Sequence, residues 1–222
     1  DVAPSRGLGD VYKRQTYNGA IIVDGKSKRY ATAGLTIQNI SFSAENISEP
    51  AYINLGKFGN GNTRYTNNVT VKDCTFSTTS TKDVAAVKSY TGGDWNLNIS
   101  GCTVNEGMHS MLQVANVEKG LNIAGCKVYS KNGINLNNTP SLEMEGCTFD
   151  TKGYAIRVGV NGNTNNGVFN ISNSTLKSDC EDDDAVIILR GNMAGSTLNL
   201  TNTTVTGTLQ YTNESNATIN VM

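Results

Sequence analysis

Residues 121–128 read LNIAGCKV, and they contain the pattern that decides the fold. Two apolar residues alternate with polar ones, and a glycine, a small residue, a polar residue and a final apolar residue follow. The pattern occurs six more times, at intervals of 21 to 34 residues. The other copies are LTIQNISF from Leu35, VTVKDCTF from Val69, LNISGCTV from Leu97, LEMEGCTF from Leu142, FNISNSTL from Phe169 and LNLTNTTV from Leu198. Seven copies of one pattern indicate a solenoid.

The pattern predicts a short strand, a sharp corner and a second short strand. Strict alternation places apolar side chains on one face of a strand and polar ones on the other. The fifth position always holds a residue type that accepts the left-handed backbone region at low cost. These corner residues are Asn39, Asp73, Gly101, Gly125, Gly146, Asn173 and Asn202. The second strands end in Phe42, Phe76, Val104, Val128, Phe149, Leu176 and Val205.

A third strand is predicted in each coil after a variable loop. The segments are INL from Ile53, VKS from Val87, LQV from Leu112, INL from Ile134, IRV from Ile156, IIL from Ile187 and LQY from Leu209. Ile21–Val23 would belong to an earlier partial coil. The sequence therefore predicts an all-β, three-sided parallel β-helix of about seven coils plus partial ends, rising roughly 34 Å at about 4.8 Å per coil. An antiparallel sandwich also has regularly spaced short strands, but it would not need the same turn residue type seven times.

Charge and composition exclude several classes of partner. The net charge is −1 and the pI about 5.9, so no general electrostatic footprint for nucleic acid or anionic membrane is present. No apolar run is long enough to predict a membrane span. The sequence does not predict an oligomeric state.

The two ends of the chain differ from the repeats. Residues 7–15, GLGDVYKRQ, match no copy of the pattern and resemble a translated sequencing-adapter tail of the kind found in genes assembled from environmental DNA. We interpret residues 1–18 as a non-native or disordered leader and residues 19–222 as one β-helix domain. Because the last residues form another strand-like run, we expect the domain to be truncated at both ends.

The cysteines and the histidine allow both a chemical and a structural interpretation. Four cysteines share the sixth position of the pattern, which predicts an internal ladder of small side chains rather than disulfides or a metal site: Cys74, Cys102, Cys126 and Cys147. Cys180, in a loop, is the candidate for an exposed thiol. His109 is the single histidine, and because no nucleophile motif adjoins it, we interpret it as incidental.

The repeat over residues 19–222 resembles that of the pectate-lyase-like right-handed parallel β-helix superfamily. Its members include pectate lyases, polygalacturonases, phage tailspikes and many bacterial surface proteins. The resemblance implies a right-handed coil and an extracellular or cell-surface location. It implies little about chemistry, because one fold supports many functions.

In enzymes of that superfamily the substrate lies along the outer face of the sheet formed by the third strands. The outward positions of those strands form one column: Asn54, Lys88, Gln113, Asn135, Arg157, Ile188 and Gln210. The resemblance implies that its six polar members could bind a polysaccharide or a host or cell-surface glycan. The other interpretation is that these residues are only the solvated face of a solenoid.

An acidic loop before the sixth third-strand suggests a cation site. Clustered carboxylates suit Ca²⁺, and the candidate ligands are Asp179, Glu181, Asp182, Asp183 and Asp184. By resemblance to the Ca²⁺-dependent lyases, Arg157 would be the catalytic base, with Lys88 too distant to assist. However, no second basic residue stands beside Arg157 in the column, and the Asn-Thr-Asp and Gly-His-Gly elements of polygalacturonases are absent. A solvated loop, or calcium that only stiffens it, would account for the same residues.

Three functions are consistent with these observations. The favoured one is a non-catalytic secreted or cell-surface module for adhesion or carbohydrate contact, because the polar faces are regular and the catalytic set is incomplete. The second is a Ca²⁺-assisted polysaccharide lyase or another carbohydrate-active enzyme. The third is a tailspike-like fibre domain, which would form trimers.

Overall fold

The protein is a right-handed parallel β-helix with three sheets of eight strands each. The structure is a computed structural model that describes residues 15–23, 34–56, 68–89, 96–114, 117, 119–137, 139–159, 166–180 and 185–222. Each full coil contributes one strand to each sheet in turn, so strands that are neighbours in space come from successive coils. The predicted fold class is confirmed.

Sheet one contains the first strand of each repeat. Its strands are β3 (Leu35–Gln38), β6 (Val69–Lys72), β9 (Asn96–Ser100), β12 (Gly120–Ala124), β15 (Ser141–Glu145), β18 (Val168–Ser172), β21 (Thr197–Thr201) and β24 (Thr218–Val221). The inward residues are in register: Ile37 pairs with Val71, Val71 with Ile99 and Ile99 with Ile123.

Sheet two contains the strands that follow the corner. They are β1 (Gln15–Tyr17), β4 (Ile40–Ala44), β7 (Thr75–Thr78), β10 (Thr103–Val104), β13 (Lys127–Val128), β16 (Thr148–Thr151), β19 (Thr175–Ser178) and β22 (Thr204–Thr206). Sheet three contains β2 (Ile21–Val23), β5 (Ala51–Leu55), β8 (Ala85–Ser89), β11 (Ser110–Val114), β14 (Asn132–Leu136), β17 (Ile156–Val158), β20 (Ile187–Arg190) and β23 (Tyr211–Glu214).

The corner between sheets one and two has the predicted conformation in all seven repeats. The corner residues have φ between 47° and 62°, and glycine, asparagine and aspartate are the types that tolerate it best. The backbone amides of these corners also join successive coils. The amide of Gly101, for example, donates to the carbonyl oxygen of Ala124 at 2.9 Å. The corner therefore satisfies its own backbone groups while it turns the chain.

The four cysteines of the pattern form the predicted internal ladder. All four are buried, and none of the four forms a disulfide bond. Each thiol donates to the carbonyl oxygen two residues earlier, as Cys126 does to Ala124 at 3.4 Å. In the next two coils Ser174 and Thr203 make the same contact with Ser172 and Thr201, at 2.8 and 3.0 Å. In the six copies from Cys74 to Thr203 the position holds a small side chain that donates a hydrogen bond, whereas Ile40 occupies it in the first copy.

The first and last coils differ from the prediction. β1 begins at Gln15 and pairs with β4, so paired structure starts inside the predicted leader; the Tyr17 ring packs edge-on against Phe42 at 5.8 Å. The rest of that leader lies outside the described residues. In the last coil β23 begins at Tyr211, which pairs with Ile187, whereas Leu209 is 46% exposed. The inward position therefore belongs to Tyr211 and not to Leu209.

None of the described residues belongs to a helix with the length and apolarity that a membrane crossing needs.

Candidate functional site: the outer face of sheet three

The predicted column of outward residues exists on sheet three. Asn54 pairs with Lys88, and Lys88 with Gln113. Gln113 pairs with Asn135, Asn135 with Arg157, and Arg157 with Ile188. The next partner is Thr212 rather than the predicted Gln210, because β23 is displaced by two residues. Gln210 precedes the strand, and its carbonyl oxygen accepts a hydrogen bond from the Ile187 amide.

Buried members interrupt this column. Asn54 is fully buried, and its side-chain amide donates to the carbonyl oxygen of Ala51 at 2.7 Å. Ile188 is also fully buried, in a small apolar cluster with Tyr154 and Ala185. The continuous accessible part consists of four half-buried side chains in successive coils: Lys88, Gln113, Asn135 and Arg157. Thr212, beyond the buried Ile188, is also half-buried.

Two neighbours in this central column have buried polar atoms without a hydrogen-bond partner among the described residues. They are Oδ1 of Asn135, an acceptor, and Nε of Arg157, a donor. Oδ1 of Asn137, one residue past the end of β14, is a third such atom. An unsatisfied buried polar atom costs about 1–3 kcal/mol. Sequence reasoning missed Asn137, because it follows β14 and is outside the alternation that predicts the column.

The Arg157 side chain is held by an aromatic neighbour. Its guanidinium carbon lies 5.2 Å from the centroid of the Tyr154 ring, a distance at which the cation and the ring attract one another. Tyr154 is only 5% exposed. The ring therefore positions the arginine and does not offer a stacking surface.

The predicted acidic cation site is described only at its first residue. Asp179 is exposed, and its backbone amide donates to the carbonyl oxygen of Thr151 at 3.0 Å. The other four candidates lie in residues 181–184, outside the described part. Among described residues no group of three or more histidine, cysteine, aspartate or glutamate side chains could hold a metal ion. Arg190, after the loop, forms an ion pair with Glu214 at 3.1 Å. Calcium binding and the role of Arg157 as a base stay predictions.

His109 lies in a cleft of about 400 Å³ at the turns that precede sheet three. Four successive turns contribute to its lining through Lys82 and Asp83, Glu106 and His109, Tyr129 and Lys131, and Lys152. The Nδ1 atom of His109 lies 3.5 Å from Nε2 of Gln113, so the cleft adjoins the central column. The sequence interpretation of His109 did not place it there, because only the stacking of coils brings these turns together.

His109 has a serine and an aspartate as neighbours, but they do not form a hydrolytic triad. Its Nδ1 lies 3.4 Å from Oγ of Ser110, and its Nε2 lies 4.0 Å from Oδ2 of Asp83. Ser110 is fully buried, so its hydroxyl cannot attack a substrate, whereas the Asp83 side chain is 83% exposed and does not hold the imidazole. Burial is the main cause that lowers the pKa of His109, and the neighbouring Asp83 opposes the shift.

The fold and this face define the class of the protein: a right-handed parallel β-helix with a polar outer column on sheet three. Beyond that class, no family model matches the chain, and neither does any curated protein or solved structure.

Proposed function

We propose that the chain is a non-catalytic, secreted or cell-surface module that contacts carbohydrate through the outer face of sheet three. The observation that carries the proposal is the adjacent pair of unsatisfied atoms, Oδ1 of Asn135 and Nε of Arg157. A sugar hydroxyl both donates and accepts, so one hydroxyl group satisfies both atoms. Both atoms are buried in half-buried side chains, so a ligand reaches them only if those side chains rotate.

The arrangement of the column suits a polymeric ligand. Lys88, Gln113, Asn135 and Arg157 repeat at the coil spacing of about 4.8 Å. Their amide and cationic groups offer both donors and acceptors along one line. A polysaccharide presents hydroxyl groups at regular intervals, so it can contact several coils at once.

The resemblance of the repeat to the pectate-lyase-like superfamily supports an extracellular location and a ligand on this sheet. The polar outer faces of the coils are also consistent with such a location. The non-catalytic part of the proposal rests on the His109 neighbourhood, where the serine is buried and the aspartate is exposed.

A glycan array probed with the purified chain tests the proposal. We expect Asn135→Leu and Arg157→Met each to weaken binding about tenfold, because each removes a hydrogen-bonding group that costs about 1.4 kcal/mol to lose. Asn122→Leu is the matched control, since Asn122 is exposed on sheet one, and it should bind as the wild type does. Equal circular dichroism spectra confirm that the variants are folded.

Four outcomes would contradict the proposal. Binding that survives both substitutions would place the ligand elsewhere, and no binding to any glycan would make the chain a passive spacer. The chain would be a lyase instead if it released unsaturated product from a uronate polysaccharide in the presence of Ca²⁺. That activity should be lost in Arg157→Ala and kept in Lys88→Ala. A stable trimer in sedimentation, without glycan binding, would favour the fibre domain.

A further inference from the structure

We infer that the His109 cleft is a separate binding site for an oxyanion, such as the sulfate, phosphate or carboxylate group of a small ligand. The cleft lies beside the sheet-three column and is lined by the turns before four successive strands. Its volume of about 400 Å³ lies within the range of small-molecule sites. The inference does not depend on carbohydrate binding by Asn135 and Arg157.

The charges around the cleft favour an anion. Lys82, Lys131 and Lys152 approach it from three different coils, and they outnumber the carboxylates of Asp83 and Glu106. The chain as a whole has a net charge of −1, so this local excess of positive charge is not a general property of its surface. The lining therefore has an excess of one positive charge, to which a protonated His109 would add another, and a concave surface with a net positive charge attracts an anion.

The floor of the cleft strengthens these interactions. Met108 is buried, and the half-exposed Tyr129 ring forms one side. Apolar walls lower the local dielectric constant, so an ammonium group and an anion interact more strongly there than on an open surface. His109, whose side chain is 18% exposed, adds a ring N–H donor or, when protonated, a positive charge.

The histidine also reports on occupation of the cleft. Burial lowers its pKa, Asp83 raises it, and the neighbouring Lys131 and Lys88 lower it further. The other titratable groups that line the cleft are Lys82, Glu106, Tyr129 and Lys152. A bound anion stabilises the imidazolium form, so it raises the pKa of His109. Because the chain has one histidine, its ring resonance reports on this site alone.

The test is a titration of the chain with sodium sulfate, in which the NMR resonance of the His109 ring monitors binding. Sodium chloride keeps the ionic strength constant throughout the titration. We expect a saturable shift of that resonance and a raised pKa. Lys131→Gln and Lys152→Gln should each weaken sulfate binding about fivefold or more, by loss of a charge close to the anion. Lys72→Gln removes the same charge from sheet one, and it should bind sulfate as the wild type does.

Parallel titrations with phosphate, acetate, glucose 6-sulfate and glucuronate identify which oxyanion binds best. They also show whether the oxyanion binds better as a free ion or attached to a sugar. A shift that does not saturate, or one that Lys72→Gln weakens as much as Lys131→Gln, would overturn the inference, since it would reflect general screening. Lys152→Gln keeps the test decisive if Lys131→Gln does not fold. The substitutions of Asn135 and Arg157 leave the cleft intact, so failure of the carbohydrate proposal is distinguishable from failure of this one.

Discussion

The rings of Phe42 and Phe76 are stacked in successive coils, with centroids 4.9 Å apart and planes within 2° of parallel. The two residues are register partners in sheet two. The ring spacing therefore repeats the strand spacing of about 4.7–4.9 Å. Tyr52, from sheet three, packs against both rings at 5.4 and 6.2 Å. Stacked columns of apolar side chains at equivalent positions are thus the unit from which this core is built.

Removal of one ring from this stack should destabilise the fold strongly. Phe76 is 1% exposed, so Phe76→Ala leaves a cavity and should lower the free energy of unfolding by about 3–5 kcal/mol. Urea unfolding followed by circular dichroism measures the loss. Thr175→Ala, on the exposed face of the same sheet, should change it by no more than about 0.5 kcal/mol. A loss below about 1 kcal/mol for Phe76→Ala would contradict the packing.

The cost in stability of a substitution at the corner should depend on how well the new residue tolerates the left-handed backbone conformation. Gly125 has a φ of 60°, and a Cβ atom added there would meet nothing within 4 Å. Gly125→Val should therefore cost about 1–2 kcal/mol through the left-handed backbone, with no contribution from a steric clash. Gly125→Asn should cost much less, because Asn39, Asn173 and Asn202 occupy the same corner in other coils. Equal losses for the two variants, measured by thermal unfolding, would show that the corner conformation is not the cause.

Cys126, within the cysteine ladder, should make the protein less stable at alkaline pH. The side-chain interactions with the neighbouring Cys102 and Cys147, together with burial, raise the pKa of Cys126. A raised pKa stabilises the folded state fully below the thiol's ordinary pKa of about 8.5, and this contribution is lost as the pH rises above that value. We expect the free energy of unfolding to fall between about pH 8 and pH 10.

Cys126→Ser provides the control for that pH dependence. Serine does not ionise in this range, and Ser174 already occupies the equivalent position in a later coil. The variant should fold, and its stability should fall less steeply with rising pH. An unchanged slope would assign the alkaline sensitivity to other groups, such as Tyr52 and Tyr211, whose pKa values burial also raises.

His109 should make the protein less stable as the pH falls into the acidic range. Burial lowers its pKa in the folded protein, so the unfolded chain binds a proton first as the pH falls below about 6.5. The free energy of unfolding should therefore decrease between about pH 7 and pH 5, and His109→Asn should reduce this decrease. Denaturation curves of the two proteins across this range provide the comparison. A steeper decrease in the variant would show that the folded protein favours the charged imidazole.

Much of the fold could be predicted because its rules are local. Alternation in eight residues predicts the strands of sheets one and two, and the residue at the fifth position predicts the left-handed corner. The third strands have no such corner beside them, and their loops vary in length. This explains why the last of them was misplaced by two residues, at Leu209 instead of Tyr211. It also explains why paired structure at Gln15 was not predicted, since β1 precedes the first copy of the pattern.

The candidate sites could be predicted only in part. Sequence alternation predicted that Lys88, Gln113, Asn135 and Arg157 share one column. It did not predict that Asn54 and Ile188 are buried, because that depends on side chains from other segments, such as Tyr154 over Ile188.

By itself, the amino-acid sequence determined the strand period, the corner residues, the cysteine ladder and hence the three-sided coil, since each depends on residues a few positions apart. Only the tertiary structure decided which column members reach the surface and that Asn135 and Arg157 have unsatisfied atoms. It also brought His109 together with Lys131 and Lys152 in one cleft. The physical reason is that these contacts join different coils, and the loops that align the coils follow no repeated pattern.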